Sequence, residues 1–86
     1  MGSSVESMCK IAADKAEALE FIARKENAVT GKPLKDLKLK KDLLIAAINH
    51  NGKVHTPNGS STIERGDTVI VVTTQKGLDD LEDILE

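Results

Sequence analysis

Aromatic residues are almost missing from this sequence: tryptophan and tyrosine are absent and Phe21 is the only phenylalanine. That leaves no stacking platform for single-stranded nucleic acid. The balance of 12 basic against 14 acidic residues, a net charge of −2, also argues against a general nucleic-acid binder. A single cysteine, Cys9, excludes an internal disulfide and suits a reducing compartment. Long hydrophobic runs are lacking too. The longest, Leu43 to Ile48, falls far short of the ~20 residues needed to span a bilayer, so a soluble chain without direct membrane insertion is expected. No basic region followed by an apolar one opens the chain, and Met1-Gly2-Ser3-Ser4 reads in part as derived from an expression vector. In a cytoplasmic chain the Asn58-Gly59-Ser60 sequon stays silent.

Catalytic and metal-binding constellations are absent as well. No G-x-G-x-x-G occurs, and Thr30-Gly31-Lys32 fails as a phosphate loop because Glu26 stands where the earlier glycine is required. Ser60, Ser61 and Thr62 offer hydroxyls and His55 a base, but no third orienting group accompanies them, so no enzyme is expected. His50 and His55 fall on one hairpin face without a carboxylate between Leu43 and Ser61, and no metal site is expected. Lys32, Lys35, Lys38, Lys40 and Lys41 form the one basic cluster. It reads as a solvated edge, or as a rim facing a phosphate-bearing ligand or an acidic partner.

What the chain does contain is centred on residues 43–57. An apolar run, then Asn51-Gly52, then a short β-branched segment is the strongest local signal for a hairpin with a two-residue turn, which needs positive φ at both central positions. That register pairs His50 with Lys53 and Ile48 with His55. It places Leu44, Ala46, Ile48, His50, Lys53, His55 and Pro57 on one face, with Leu43, Ile45, Ala47, Asn49, Val54 and Thr56 on the other. Both faces begin apolar, as in a strand covered on two sides. Since 86 residues make one small domain that cannot cover two sheet faces by itself, a second copy is expected to help. A charge at Ile48 is then expected to break that dimer.

Elsewhere, Ser3 with Glu6 fits a capping box and Val5, Met8, Ala12 and Ala16 follow a helical spacing, predicting a helix over 3–16 with Cys9 in a packed seam. Residues 17–23 fit helix and strand equally. Pro33 suits the first position of a short helical turn in which Leu34 and Leu37 face the same way. Gly66 reads as a positive-φ residue before a strand over 68–74. From Leu78 a helix is expected, with Leu78, Leu81, Ile84 and Leu85 buried and Asp79, Asp80, Glu82, Asp83 and Glu86 wet.

Residues 17–86 resemble the C-terminal regulatory domain of Trk-type potassium uptake regulators, known as TrkA-C or the C-terminal lobe of an RCK domain. The resemblance rests on an ordered series: Val29-Thr30-Gly31-Lys32-Pro33-Leu34 with Leu37, then Ile45-Ala46-Ala47-Ile48 and Asn51-Gly52, then Pro57, Ile63, Gly66-Asp67 and Val69-Ile70-Val71-Val72. It implies an α/β (α+β) fold: a small mixed β-sheet with a central hairpin, a short helix after the first strand and a C-terminal helix; the N-terminal helical segment or linker over 1–16 lies ahead of the residues that carry the resemblance. It also implies that residues 18–23 form the first strand. In such proteins this lobe follows a Rossmann-like lobe that binds NAD. That lobe lies outside this sequence, so no NAD binding is expected here.

The resemblance further implies a non-catalytic, cytoplasmic regulatory domain. It would form a homodimer at the inner face of the membrane through a potassium channel or transporter subunit, and signal by a ligand. Some family members bind cyclic di-AMP on the strand matching Leu44 to His50 and the proline matching Pro57. The expected ligand set is Leu44, Ile45, Asn49, His50 and Pro57 from that strand and proline, with His55 added because its imidazole shares the hairpin face with His50. The family often has Arg where His50 stands, and a histidine offers less charge and no guanidinium fork, although its imidazole can donate or accept. A purely structural dimerisation module and the same lobe appended to another ion or dicarboxylate transporter are the other two readings.

Overall fold

The computed structural model describes residues 4–86. Five strands form one sheet: β1 (Val5–Ile11), β2 (Ala16–Ile22), β3 (Leu43–His50), β4 (Lys53–His55) and β5 (Thr68–Thr73), in the order β1-β2-β5-β3-β4. Every pairing between these strands is antiparallel. The expected mixed sheet is thus corrected to an antiparallel one, with a lone parallel bridge between Thr30 and Ile63 outside it.

The hairpin forms in the expected register, with His50 opposite Lys53 and Ile48 opposite His55. Asn51 and Gly52 take φ of 52° and 84°, the left-handed pair that such a turn requires. The hairpin is not central, however, because β4 is an edge strand and β5 and β2 occupy the middle. β5 carries no charge and buries Val69, Val71 and Thr73 at alternate positions, and β2 buries Leu19 and Phe21 in the same way, the alternation that an inner sheet face requires.

One irregularity reassigns the faces. The ladder between β3 and β5 shifts register between Ile45 and Ala47, leaving Ala46 as a bulge residue. Ile45 and Ile48 therefore both point into the core, at 7% and 0% exposure, while Leu44 is 62% exposed. Strict alternation had put Leu44 and Ile48 on one face. The inner face carries Leu19, Phe21, Ile45, Ile48, Val69 and Val71, and the connecting segments cover it with Val29, Ile63, Leu78, Leu81 and Ile84.

The helices are the larger correction. Residues 5–11 are a strand, not a helix: β1 pairs with β2 from Val5 opposite Phe21 to Ile11 opposite Ala16, so its main-chain groups are met by a neighbour rather than within the segment. An isolated helix of this length is marginal in water, and the β2 edge offers a ready partner. Ala12, Ala13 and Asp14 turn the chain back with φ of 53°, 56° and 68°. Cys9 is consequently exposed. Ser3, the expected cap, lies outside the described residues.

The short helix after the first strand is a single 3-10 turn, Leu34–Asp36, with Pro33 at the N-cap position and no side-chain cap, and with Leu34 and Leu37 half-buried against the core. The expected C-terminal helix is likewise one 3-10 turn, Leu81–Ile84. Its start is well made. Asp80 accepts from the Glu82 N–H at 3.2 Å, and the Asp83 carboxylate accepts from the Asp80 N–H at 3.0 Å. It ends after one turn because Leu85 is extended, bridges Leu39, and is followed by a Glu86 N–H donating to the Lys38 carbonyl.

Candidate functional site

Where β3 runs into the hairpin turn, His50 leaves the core face behind Ile48 and meets the segment that leads into β5. Gly66, with φ of 94°, lets that segment turn sharply. Its N–H donates to the Ala23 carbonyl, and the Ala23 N–H donates to the Asp67 carbonyl at 2.8 Å. This exchange anchors the backbone on the end of β2 and drives the Asp67 side chain inward, where the residue is 2% exposed.

A buried carboxylate needs partners on both oxygens. Asp67 has them: Oδ2 accepts from the Glu64 N–H at 2.9 Å, and Oδ1 lies 2.5 Å from His50 Nδ1. An ionised carboxylate only accepts, so His50 Nδ1 carries its proton, and in the neutral ring Nε2 is the acceptor. The Asn51 side-chain nitrogen sits 3.3 Å from that Nε2, where an amide N–H donates to it. The imidazole is thus oriented at one nitrogen by a buried acid, while half of its side chain remains open to solvent.

His50 lines a pocket of about 500 Å³ together with Lys53, His55, Ser60, Ser61, Thr62, Glu64 and Asp67. The loop supplying the hydroxyls is held by Asn58, whose Oδ1 accepts from the Ser60 N–H at 2.8 Å while Ser61 Oγ accepts from the Asn58 N–H at 3.0 Å. Thr62 Oγ1 donates to Glu64 at 2.7 Å. One ammonium, two imidazoles and several hydroxyls or amides make a surface suited to an anionic, oxygen-rich ligand. Glu64 and the already committed Asp67 are its only carboxylates. Among the described residues no group of three or more His, Cys, Asp or Glu side chains converges as a metal site.

The expected ligand residues separate into three places. His50 and His55 enter this pocket. Leu44, Ile45 and Pro57 line a second cavity of about 250 Å³ with Leu34, Lys35, Leu39 and Leu43. Asn49 pairs with Val54 and Thr68 on the opposite side of the sheet, and its Oδ1 is buried without a partner. Of the lysine cluster, Lys35 borders the second cavity. Sequence reasoning missed Lys53, although the hairpin register already set it opposite His50. It also missed Asp67, whose only signal was an acid placed directly between a positive-φ glycine and a strand.

A family model described as the TrkA-C domain matches residues 19–86. The chain is 29% identical, over all 86 of its residues, to Trk system potassium uptake protein TrkA homolog 2 of Methanosarcina mazei, and covers 19% of that protein. Over 72 residues, 83% of the chain, it is 35% identical to the Trk system potassium uptake protein TrkA homolog of Pyrococcus abyssi and 33% identical to that of Pyrococcus horikoshii. It covers 32% of each. The chain therefore spans between about a fifth and a third of the length of these relatives. β1 lies ahead of the residues that the family model matches.

Proposed function

The chain belongs to the TrkA-C domain family, and from that premise we propose that it is a non-catalytic, dimeric regulatory domain that senses a phosphate-bearing ligand for a potassium uptake system. The relatives are named for that system. The observation that carries the ligand-sensing part is the His50 clamp: a buried acid holds an imidazole in one orientation at the mouth of a pocket that also presents Lys53 and His55. Fixing a side chain in advance removes part of the ordering cost of binding.

The ligand we favour is cyclic di-AMP. Its phosphodiesters suit Lys53, the hydroxyls of Ser60, Ser61 and Thr62, and the imidazoles in their protonated form, in which both ring nitrogens donate and His50 Nε2 turns from the Asn51 amide to the anion. The neighbouring cavity walled by Leu43, Leu44, Ile45 and Pro57 offers the apolar surface that an adenine covers. A ligand that binds one arrangement of two paired domains better than another biases whatever is attached to them by that difference in affinity. On this reading the domain works in the cytoplasm, held at the inner face of the membrane by the transport subunit it regulates. No NAD site is proposed on this chain.

Calorimetric titration with cyclic di-AMP, with NAD and ATP as controls, tests the reading. Saturable binding at one ligand per dimer, weakened at least about tenfold in His50→Ala through loss of a charge-assisted contact, is the expected result. The absence of binding by all three nucleotides contradicts it and leaves a structural dimerisation module.

A further inference from the structure

The two imidazoles of the pocket differ in what they can offer an anion. His55 is exposed on the edge strand β4, so its neutral ring can take either tautomer and point an N–H at a phosphate oxygen. His50 has no such freedom. Its Nδ1 lies 2.5 Å from Asp67 Oδ1, and that carboxylate is itself fixed by the Glu64 N–H at 2.9 Å and by burial. Because an ionised carboxylate only accepts, the single proton of the neutral ring stays on Nδ1. Nε2, on the other side of the ring, then presents a lone pair, which the Asn51 amide meets at 3.3 Å. A lone pair repels an anion. Only a second proton, which has to go to Nε2 because Nδ1 already carries one, makes this ring a charged donor toward the pocket.

We propose that anion binding in this pocket is coupled to proton uptake, with His50 Nε2 taking from water the proton that a phosphate oxygen then accepts as a hydrogen bond. The inference rests on the ligand-sensing reading above and names its regulation. Linkage sets the sign: protonation strengthens anion binding by the same factor by which the anion favours protonation. Affinity therefore rises as pH falls, and on the alkaline side of histidine's ordinary titration it declines by up to about tenfold per pH unit for each proton taken up. Half of the His50 side chain is open to solvent, so the proton arrives without any opening of the fold. Asn51 fits both states, since turning its amide about the terminal torsion replaces the donating NH₂ by an accepting oxygen.

The charged groups facing the ring are few. Lys53 stands opposite His50 on β4 and His55 follows on the same strand, while Glu64 and Asp67 come from the segment that leads into β5. Lysine and carboxyl side chains ordinarily titrate well outside the range of about pH 6 to 8.5, which leaves the two histidines as the titrating side chains of the pocket in that range. A phosphodiester gains no proton there either, unlike a phosphomonoester, whose second ionisation falls near 6. Proton uptake on binding cyclic di-AMP is thus uptake by the protein, and the Asp67 lock assigns it to His50. The domain reads nucleotide and acidity in one equilibrium: a fall in pH loads the site at a nucleotide concentration that leaves it empty at higher pH.

Calorimetric titration of the whole chain with cyclic di-AMP at about pH 6.5, 7.5 and 8.5, each in two buffers of different ionisation enthalpy, tests the coupling across the histidine range. The wild type is expected to bind at least about tenfold more weakly at the highest pH than at the lowest, and to take up more than about half a proton per engaged chain at the middle one. His50→Gln, whose amide donates without titrating, is expected to lose that uptake, and His55→Gln to keep it. If His50→Gln binds too weakly to titrate, the ring nitrogen resonances of the wild type decide, since His50 Nε2 is expected to change from an unprotonated to a protonated nitrogen on saturation at the middle pH. Saturable binding without proton uptake or pH dependence, or an Nε2 that stays unprotonated in the complex, overturns the coupling and leaves the ligand-sensing reading standing. Uptake that survives in His50→Gln, or disappears in His55→Gln, overturns the assignment to His50. The absence of binding at every pH overturns both readings.

Discussion

Ile48→Asp abolishes the cooperative thermal transition of the domain. Ile48 is fully buried between Val69 on β5 and the segments that cover the inner face. Removing its side chain alone costs on the order of 2–4 kcal/mol, and an unpaired carboxylate in its place adds several more. A domain of this size holds only about 5–10 kcal/mol against unfolding. Leu44, four residues earlier on the same strand, is 62% exposed, and Leu44→Glu is expected to leave the melting transition in place. If Ile48→Asp melts cooperatively and merely changes its mass in solution, the placement of β3 is wrong.

Asp67→Ala destabilises the domain by about 3 kcal/mol and weakens nucleotide binding in parallel. Two hydrogen bonds to a charged acceptor disappear, from the Glu64 N–H and from His50 Nδ1, each worth about 1.5–3 kcal/mol when intact. The imidazole then loses the contact that fixes its orientation. For a domain this small the melting temperature is expected to fall by more than about 10 °C. Asp67→Asn separates the two effects, because its carbonyl still accepts from His50 while its NH₂ group faces the Glu64 N–H. Stability is expected to drop, with ligand affinity largely kept. Equal ligand affinity in Asp67→Ala and the wild type, measured below the melting temperature of both, would remove Asp67 from the site.

These contrasts depend on features that pattern reading handles unevenly. The hairpin was legible because Asn51-Gly52 fixes both backbone conformation and register, and Gly66 announced its left-handed turn for the same reason. The bulge at Ala46 was not legible. It comes from fitting β3 against β5, where Ile45 pairs with Val71 and Ala47 with Ile70, a contact far apart in sequence, and nothing in Leu43-Leu44-Ile45-Ala46-Ala47-Ile48 marks which residue is extruded.

The helical misreadings have a common cause. Val5, Met8, Ala12 and Ala16 satisfy a helical spacing, yet the unpaired edge of β2 captures the same residues as a strand. At the other end, Asp80 and Asp83 build a genuine capping box. The turn stops at once because Leu85 and Glu86 are drawn to Leu39 and Lys38. In both cases a tertiary partner overrode a local preference. The clamp on His50 escaped notice for a related reason: Asp67 lies 17 residues from it in sequence, and only the folding of the β3 to β5 connection brings acid and imidazole together.

The central claim is that the oriented His50 faces a ligand. The most direct measurement is the titration of nitrogen-15-labelled chain with cyclic di-AMP, following the imidazole nitrogens of both histidines and the amides of Ser60, Ser61 and Thr62. The account predicts saturable shifts of the His50 and His55 ring resonances together with those amides, absent with NAD. Ring resonances that stay in place at saturating cyclic di-AMP, or shifts confined to the outer sheet face, would contradict it.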